Sequence, residues 1–150
     1  MSNNNKPGVI LMAEDDADDR LLAEEALSES QWKGDLRFVQ NGEELLDYLF
    51  RRGQFAPPAD APRPGLILLD LNLPRKDGRE ALREIKADTI LRRIPVIVLT
   101  TSKADTDIER LYELGANSFI TKPAQFDALV DTMRALRHYW FKTVELPSPK

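Results

Sequence analysis

Two rhythms of apolar residues alternate along this chain. Short runs at residues 9–13 (Val-Ile-Leu-Met-Ala), 36–39, 66–69, 96–99 and 118–120 predict five strands. Leu66-Ile67-Leu68-Leu69 has no polar break, which suits a strand covered on both faces. Between these runs the apolar residues recur at three- and four-residue spacing, which predicts helices over residues 16–32 (Leu21, Leu22, Ala26, Leu27), 43–50 (Leu45, Leu46, Leu49), 78 to about 91 (Leu82, Ile85), 105–114, and 126 to about 141. Asn41-Gly42 reads as a turn and N-cap, and Gly115 as a left-handed helix stop. Five strand–helix units in series predict an α/β fold, a five-stranded parallel sheet doubly wound with helices on both faces. Residues 51–64, rich in Pro and Ala, read as an exposed loop long enough to have a binding role of its own.

Composition narrows the class of function. At 150 residues, 42% hydrophobic and 31% charged, the chain is expected to be one globular domain. A net charge of -4 and a pI near 5.1 speak against a nucleic-acid or anionic-membrane surface. The absence of cysteine excludes disulfides, thiolate metal sites and cysteine nucleophiles. No apolar run approaches the roughly 18 residues of a membrane span, and the polar start has no signal-peptide core, so a cytoplasmic location is expected. The expected organisation is a disordered tail at residues 1–7, one domain over 8–141 and a short tail at 142–150.

Polar chemistry gathers at the strand ends. The first apolar run stops at Glu14-Asp15-Asp16, the third at Asp70, the fourth at Thr100 and the fifth just before Lys122-Pro123. In a parallel sheet all C-terminal strand ends share one edge, so these groups converge there. Clustered carboxylates repel one another unless a cation sits among them, and Mg²⁺ with its preference for oxygen ligands meets that need. A hydroxyl at Thr100 and an ammonium at Lys122 would bind the remaining oxygens of a phosphoryl group, whose transfer is mainly positioning and charge stabilisation.

In this set of residues, over about residues 8–141, the chain resembles the response-regulator receiver domains of two-component signalling. The resemblance implies the flavodoxin-like strand order 2-1-3-4-5. It makes Asp70 the phosphoacceptor and gives Mg²⁺ to Asp15, Asp70 and the backbone carbonyl of Asn72, with Glu14 acting through water. It places Lys122, Thr100 and the Thr101 amide at the phosphoryl oxygens, makes Thr100 and Phe119 a switch pair, and implies a cis Lys122–Pro123 bond. The run Leu69-Asp70-Leu71-Asn72-Leu73-Pro74-Arg75-Lys76-Asp77-Gly78, the run Leu99-Thr100-Thr101-Ser102 and the aromatic end Tyr139-Trp140-Phe141 resemble receivers paired with bacterial phytochromes. Lys76 departs from the family, many of whose members have Met there, and Phe119 lacks a hydroxyl, so a switch there would work by packing.

Each feature alone has a plainer reading. Acids at a helix start complement the macrodipole, and Asp16, Asp18 and Asp19 are assigned that role only. His138 is expected to pack structurally. With no glycine-rich nucleotide loop, the phosphoryl group is expected from a sensor histidine kinase, a phytochrome among the candidates, and the protein is expected to be no enzyme beyond assisting its own phosphorylation and dephosphorylation. The short tail implies signalling by protein–protein contact, including a homodimer through the fourth and fifth helices, the fifth strand and the aromatic tail. Two alternatives stay open: a phosphorylation-independent adaptor with the receiver fold, and a Mg²⁺-dependent aspartyl phosphohydrolase. The second is disfavoured by Asn72, which stands where such enzymes place a second acid.

Overall fold

The computed structural model describes residues 8–101 and 105–146, with the backbone alone at 105–107. The order of elements is β1 (Val9–Ala13), α1 (Ala17–Glu29), β2 (Asp35–Val39), α2 (Gly42–Phe50), β3 (Leu66–Leu69), α3 (Gly78–Ala87), β4 (Val96–Thr100), α4 (Asp105–Leu114), β5 (Ser118–Thr121) and α5 (Phe126–His138). The five strands are all parallel and lie in the order β2-β1-β3-β4-β5, so β1 and β3 sit side by side at the centre. The chain steps from β1 out to β2 and then crosses back to β3, and the gap this reversal leaves between β1 and β3 at the carboxyl edge is where such sheets place a site.

The two-residue pleat divides the apolar runs between two cores. Ile10, Met12, Leu66, Leu68, Ile97 and Leu99 face α1 and α5, whereas Leu11, Ala13, Ile67, Leu69, Val96 and Val98 face α2, α3 and α4. Every residue of β3 and β4 is buried, as their unbroken apolar runs predict.

Local chemistry sets where the helices stop. α1 ends at Glu29, three residues short of the predicted Trp32, because Gln31 turns left-handed (φ 67°) and the Trp32 amide bonds back to Leu27 O. α3 ends at Ala87 because the Asp88 carboxylate accepts from the Ile90 and Leu91 amides and starts a separate 3₁₀ turn. Asn41 caps α2 through the Glu44 amide (2.8 Å), and Gly115 (φ 109°) stops α4, both as expected. The loop at 51–64 is exposed at its tip but tied down at its end. Ala61 is buried, Tyr48 Oη donates to Pro62 O, and Arg37 grips the carbonyl and carboxylate of Asp60.

The aromatic end does not stay together as one surface. After His138 a π-helical turn (Tyr139–Thr143) leaves Tyr139 exposed and drives Phe141 back onto Trp32, with ring centroids 4.7 Å apart. Phe141 fills space at the amino edge of the sheet that glycines leave open: a Cβ on Gly8 would lie 2.4 Å from its ring and one on Gly65 3.4 Å. Trp140 also packs on the α1/α5 core. His138, expected in packing, is exposed, because α5 turns its apolar stripe of Val130, Met133 and Leu136 inward and leaves His138 off it. The readings for residues 1–7, for Ser102 and for 147–150 lie outside the described residues. Among the described residues no helix is long and apolar enough to cross a membrane.

Candidate functional site at the carboxyl edge of the sheet

The site is assembled by strand ends, as the pattern predicts. β1 delivers Glu14 and Asp15, β3 delivers Asp70, β4 ends in Thr100, and Lys122 directly follows β5. The ladder holds them in register. The Glu14 amide bonds to Val39 O, Asp70 N–H to Ala13 O and Lys122 N–H to Thr100 O. Two residue types fix the chain as it leaves Asp70. Leu71 and Leu73 are buried and anchor the loop, and Gly78 lets α3 begin so close that a Cβ there would lie 2.6 Å from Asp70 O.

Asp70 is 8% exposed and fully engaged. Its Oδ1 accepts from Thr100 Oγ1 (3.1 Å) and from the Asn72 amide (3.0 Å), and its Oδ2 accepts from Lys122 Nζ (3.1 Å). The Lys122 ammonium also donates to Glu14 Oε1 (2.6 Å) and Asp19 Oδ2 (2.9 Å), so three carboxylates surround one cation. Carboxylate oxygens of Glu14, Asp15 and Asp70 lie within 4.8 Å of one another, close enough for one metal ion to bridge them. Hard oxygen donors at that spacing suit a divalent cation. Asp15 is exposed at the mouth, and Asn72 follows in the exposed loop.

Burial pushes the Glu14 carboxyl up to about 7, opposed by its hydrogen bond from Lys122 and helped by the negative charge of Asp70. Lys122 is held above its usual value: its hydrogen bonds to Glu14 and Asp19 outweigh the burial that opposes them. For the metal-free protein this has a definite sign. Folded Glu14 keeps its proton up to about 7 whereas a free glutamate loses it near 4.5, so the folded state binds more protons across that window and stability falls as pH rises through it. Thermal unfolding in EDTA should show Glu14→Gln gaining on wild type between these limits, by roughly 1–3 kcal/mol at neutral pH. An equal separation at both ends of the window would show that Glu14 ionises normally.

Thr101 is exposed at the bend after β4, and Phe119 is half-buried against the α2/α3/α4 core, beside Val98 in the ladder. The Lys122–Pro123 bond is trans, against the expectation of a cis bond; among the described residues the cis bond is Pro57–Pro58. With the Lys122 amide bonded to Thr100 O and the bond trans, the ammonium already reaches the carboxylates, so the turn does not require the other isomer. Asp16 behaves as assigned, capping α1 through the Asp18 and Asp19 amides. Asp19 does more than complement the dipole, because it touches Lys122. The available signal was its place in the first turn of the helix that leaves this edge of the sheet.

A doubly wound sheet with this acid–hydroxyl–ammonium set at its carboxyl edge is the architecture of a receiver, and the chain belongs to the response regulator receiver domain family, which it matches over residues 10–134. Among individual proteins it is 41% identical over 145 residues to the response regulator Rcp1 of Synechocystis sp., covering 97% of each chain. The crystal structure of the phosphorylated cyanobacterial phytochrome response regulator RcpA is 43% identical and superimposes with a TM-score of 0.86, covering 94% of this chain and 99% of that one. The Mn²⁺-bound form of Rcp1 is 42% identical with a TM-score of 0.85, covering 95% and 100%. The protein is thus a receiver-domain response regulator related to those of phytochromes.

Proposed function

We propose that this receiver accepts a phosphoryl group on Asp70 from a sensor histidine kinase, a bacteriophytochrome by the nature of its relatives, in a Mg²⁺-dependent reaction. The observation that carries the reading is the pair of contacts on one carboxylate, Thr100 Oγ1 at one oxygen and Lys122 Nζ at the other, each 3.1 Å away. An oxygen of Asp70 attacks phosphorus, the bond from phosphorus to the donor's leaving group breaks, and an acyl phosphate remains on Asp70. Thr100 and Lys122 then have phosphoryl oxygens to bind in place of the carboxylate oxygens, with the exposed Thr101 amide beside them. Phe119 follows Thr100 by repacking, since its ring already borders the core and bears no hydroxyl. Glu14, Asp15, Asp70 and the carbonyl of Asn72 would hold Mg²⁺, which when bound offsets the charge of the phosphoryl oxygens. This chain's own assistance to that step is all the catalysis the reading requires.

Incubation with acetyl phosphate and Mg²⁺ should add one phosphoryl group by intact mass, and EDTA should prevent it. No gain with any donor or kinase would make the protein an adaptor, and continuous turnover of a phosphate ester would make it a hydrolase.

Output on this reading is a surface that another protein reads, a second copy through α4, β5 and α5 among them. Tyr112 on α4 and Tyr139 beyond α5 are 49% and 50% exposed. Trp140 and Phe141 are spent inside the protomer and add little to such a contact. Light scattering over a concentration series should show a dimer that strengthens with a phosphate analogue; monomer throughout would remove this part of the proposal.

A further inference from the structure

Three N–H donors of the Lys122 ammonium meet three carboxylates, and these are not equivalent. Glu14 and Asp70 belong to the group whose oxygens lie within 4.8 Å for a metal; Asp19 does not. Asp19 reaches Lys122 from the first turn of α1, and its placement is enforced. Its amide is capped by Asp16 Oδ1 at 3.1 Å, and the neighbouring Arg20 donates to Glu14 O at 2.9 Å, pinning this turn to the end of β1. Asp19 is partly exposed, with 40% of its side chain accessible, so its charge carries little desolvation cost of its own.

Resting on the proposed phosphoryl transfer, we propose that Asp19 is a positioning residue for Lys122. Oxygens of Glu14 and Asp70 that turn to a cation and a phosphoryl group cease to hold the ammonium. Asp19 is the partner that remains, and it keeps Nζ poised over the oxygens of Asp70 instead of letting a flexible four-carbon stem swing into solvent. It touches neither metal nor phosphoryl group, and its whole effect passes through Lys122.

Four proteins test this: wild type, Asp19→Ala, Lys122→Ala and the double variant, each with acetyl phosphate and saturating Mg²⁺. Asp19→Ala should slow phosphoryl incorporation by about ten-fold, the worth of one charge-assisted hydrogen bond. In the Lys122→Ala background the same change should have no further effect, which a merely structural role would not reproduce. Asp19→Glu should recover most of the rate, because it restores a carboxylate. With Mg²⁺ and a phosphoryl analogue bound, the ¹⁵N resonance of the Lys122 ammonium, resolved in wild type, should broaden in Asp19→Ala. Asp19→Asn provides the comparison if the alanine variant does not fold. Equal or faster incorporation by Asp19→Ala, or an equal loss in both backgrounds, would overturn the proposal. Absence of incorporation in wild type itself would instead overturn the phosphoryl-transfer reading on which it rests.

Discussion

Asp70→Asn takes up no phosphoryl group from acetyl phosphate, while the variant stays folded and its sheet is unchanged. The two side chains have the same shape, so Oδ1 of the amide can keep the hydrogen bonds now made by Thr100 Oγ1 and the Asn72 N–H. What changes is the second atom. An NH₂ group replaces the oxygen 3.1 Å from Lys122 Nζ, so donor faces donor, and the ammonium falls back on Glu14 and Asp19. An amide nitrogen has no lone pair free to attack phosphorus, so the loss is chemical rather than geometric, and incorporation should drop below about one part in a thousand of wild type. Removing one of the crowded acids also relieves repulsion, so stability at neutral pH should not fall. Intact mass with the donor and thermal unfolding without it separate the two effects. Equal phosphoryl gain in the variant would move the acceptor to another residue and undo the site as described.

Gly42→Ala produces the largest loss of stability expected from a single added methyl group. Gly42 opens α2 directly against the loop between β3 and α3, and a Cβ there would stand 2.0 Å from Lys76 O and 2.8 Å from Lys76 C. The obstacle is backbone, which cannot rotate aside, and the Lys76 side chain is already paired with Glu84. Overpacking of this kind costs about 2–3 kcal/mol, or roughly 5–10 °C in Tm for a chain of this size. The loop that must yield is the one leaving Asp70, so phosphoryl incorporation should slow as well. Gly53→Ala is the contrast. There φ is +61° and the nearest atom to a new Cβ is Asp47 Oδ2 at 3.4 Å, so only left-handed backbone strain of about 1 kcal/mol is incurred. Equal melting of the two variants would mean that α2 does not press on this loop.

The apolar pattern was enough to locate all five strands and five helices, but not every face: in α1 the residues turned inward are Ala23, Ala26 and Leu27, whereas Leu21 and Leu22, read as part of its stripe, are exposed. Boundaries were less legible where a side chain or a left-handed residue ends an element before its apolar stripe does. Gln31 and Asp88 each stop a helix in this way, and neither is visible as a break in hydrophobicity. The aromatic end shows the same limit. Tyr139, Trp140 and Phe141 look alike in sequence, but the π-helical turn sends one to solvent and two to the core.

The site divides along the same line. The residue types at four strand ends determined by themselves that acids, a hydroxyl and an ammonium share one edge of a parallel sheet, because parallel strands leave no other place for their carboxyl ends. Only the tertiary structure decided which of the acids the ammonium meets. Glu14 and Asp70 follow two different strands and Asp19 lies on α1, and a contact of 2.9 Å between Asp19 and Lys122, 103 positions apart, depends on how α1 is tilted over the sheet edge. Sequence separation carries no information about that tilt. It is set by the packing of α1 on α5 and by the cap at Asp16, which together bring one turn of helix over the end of the sheet.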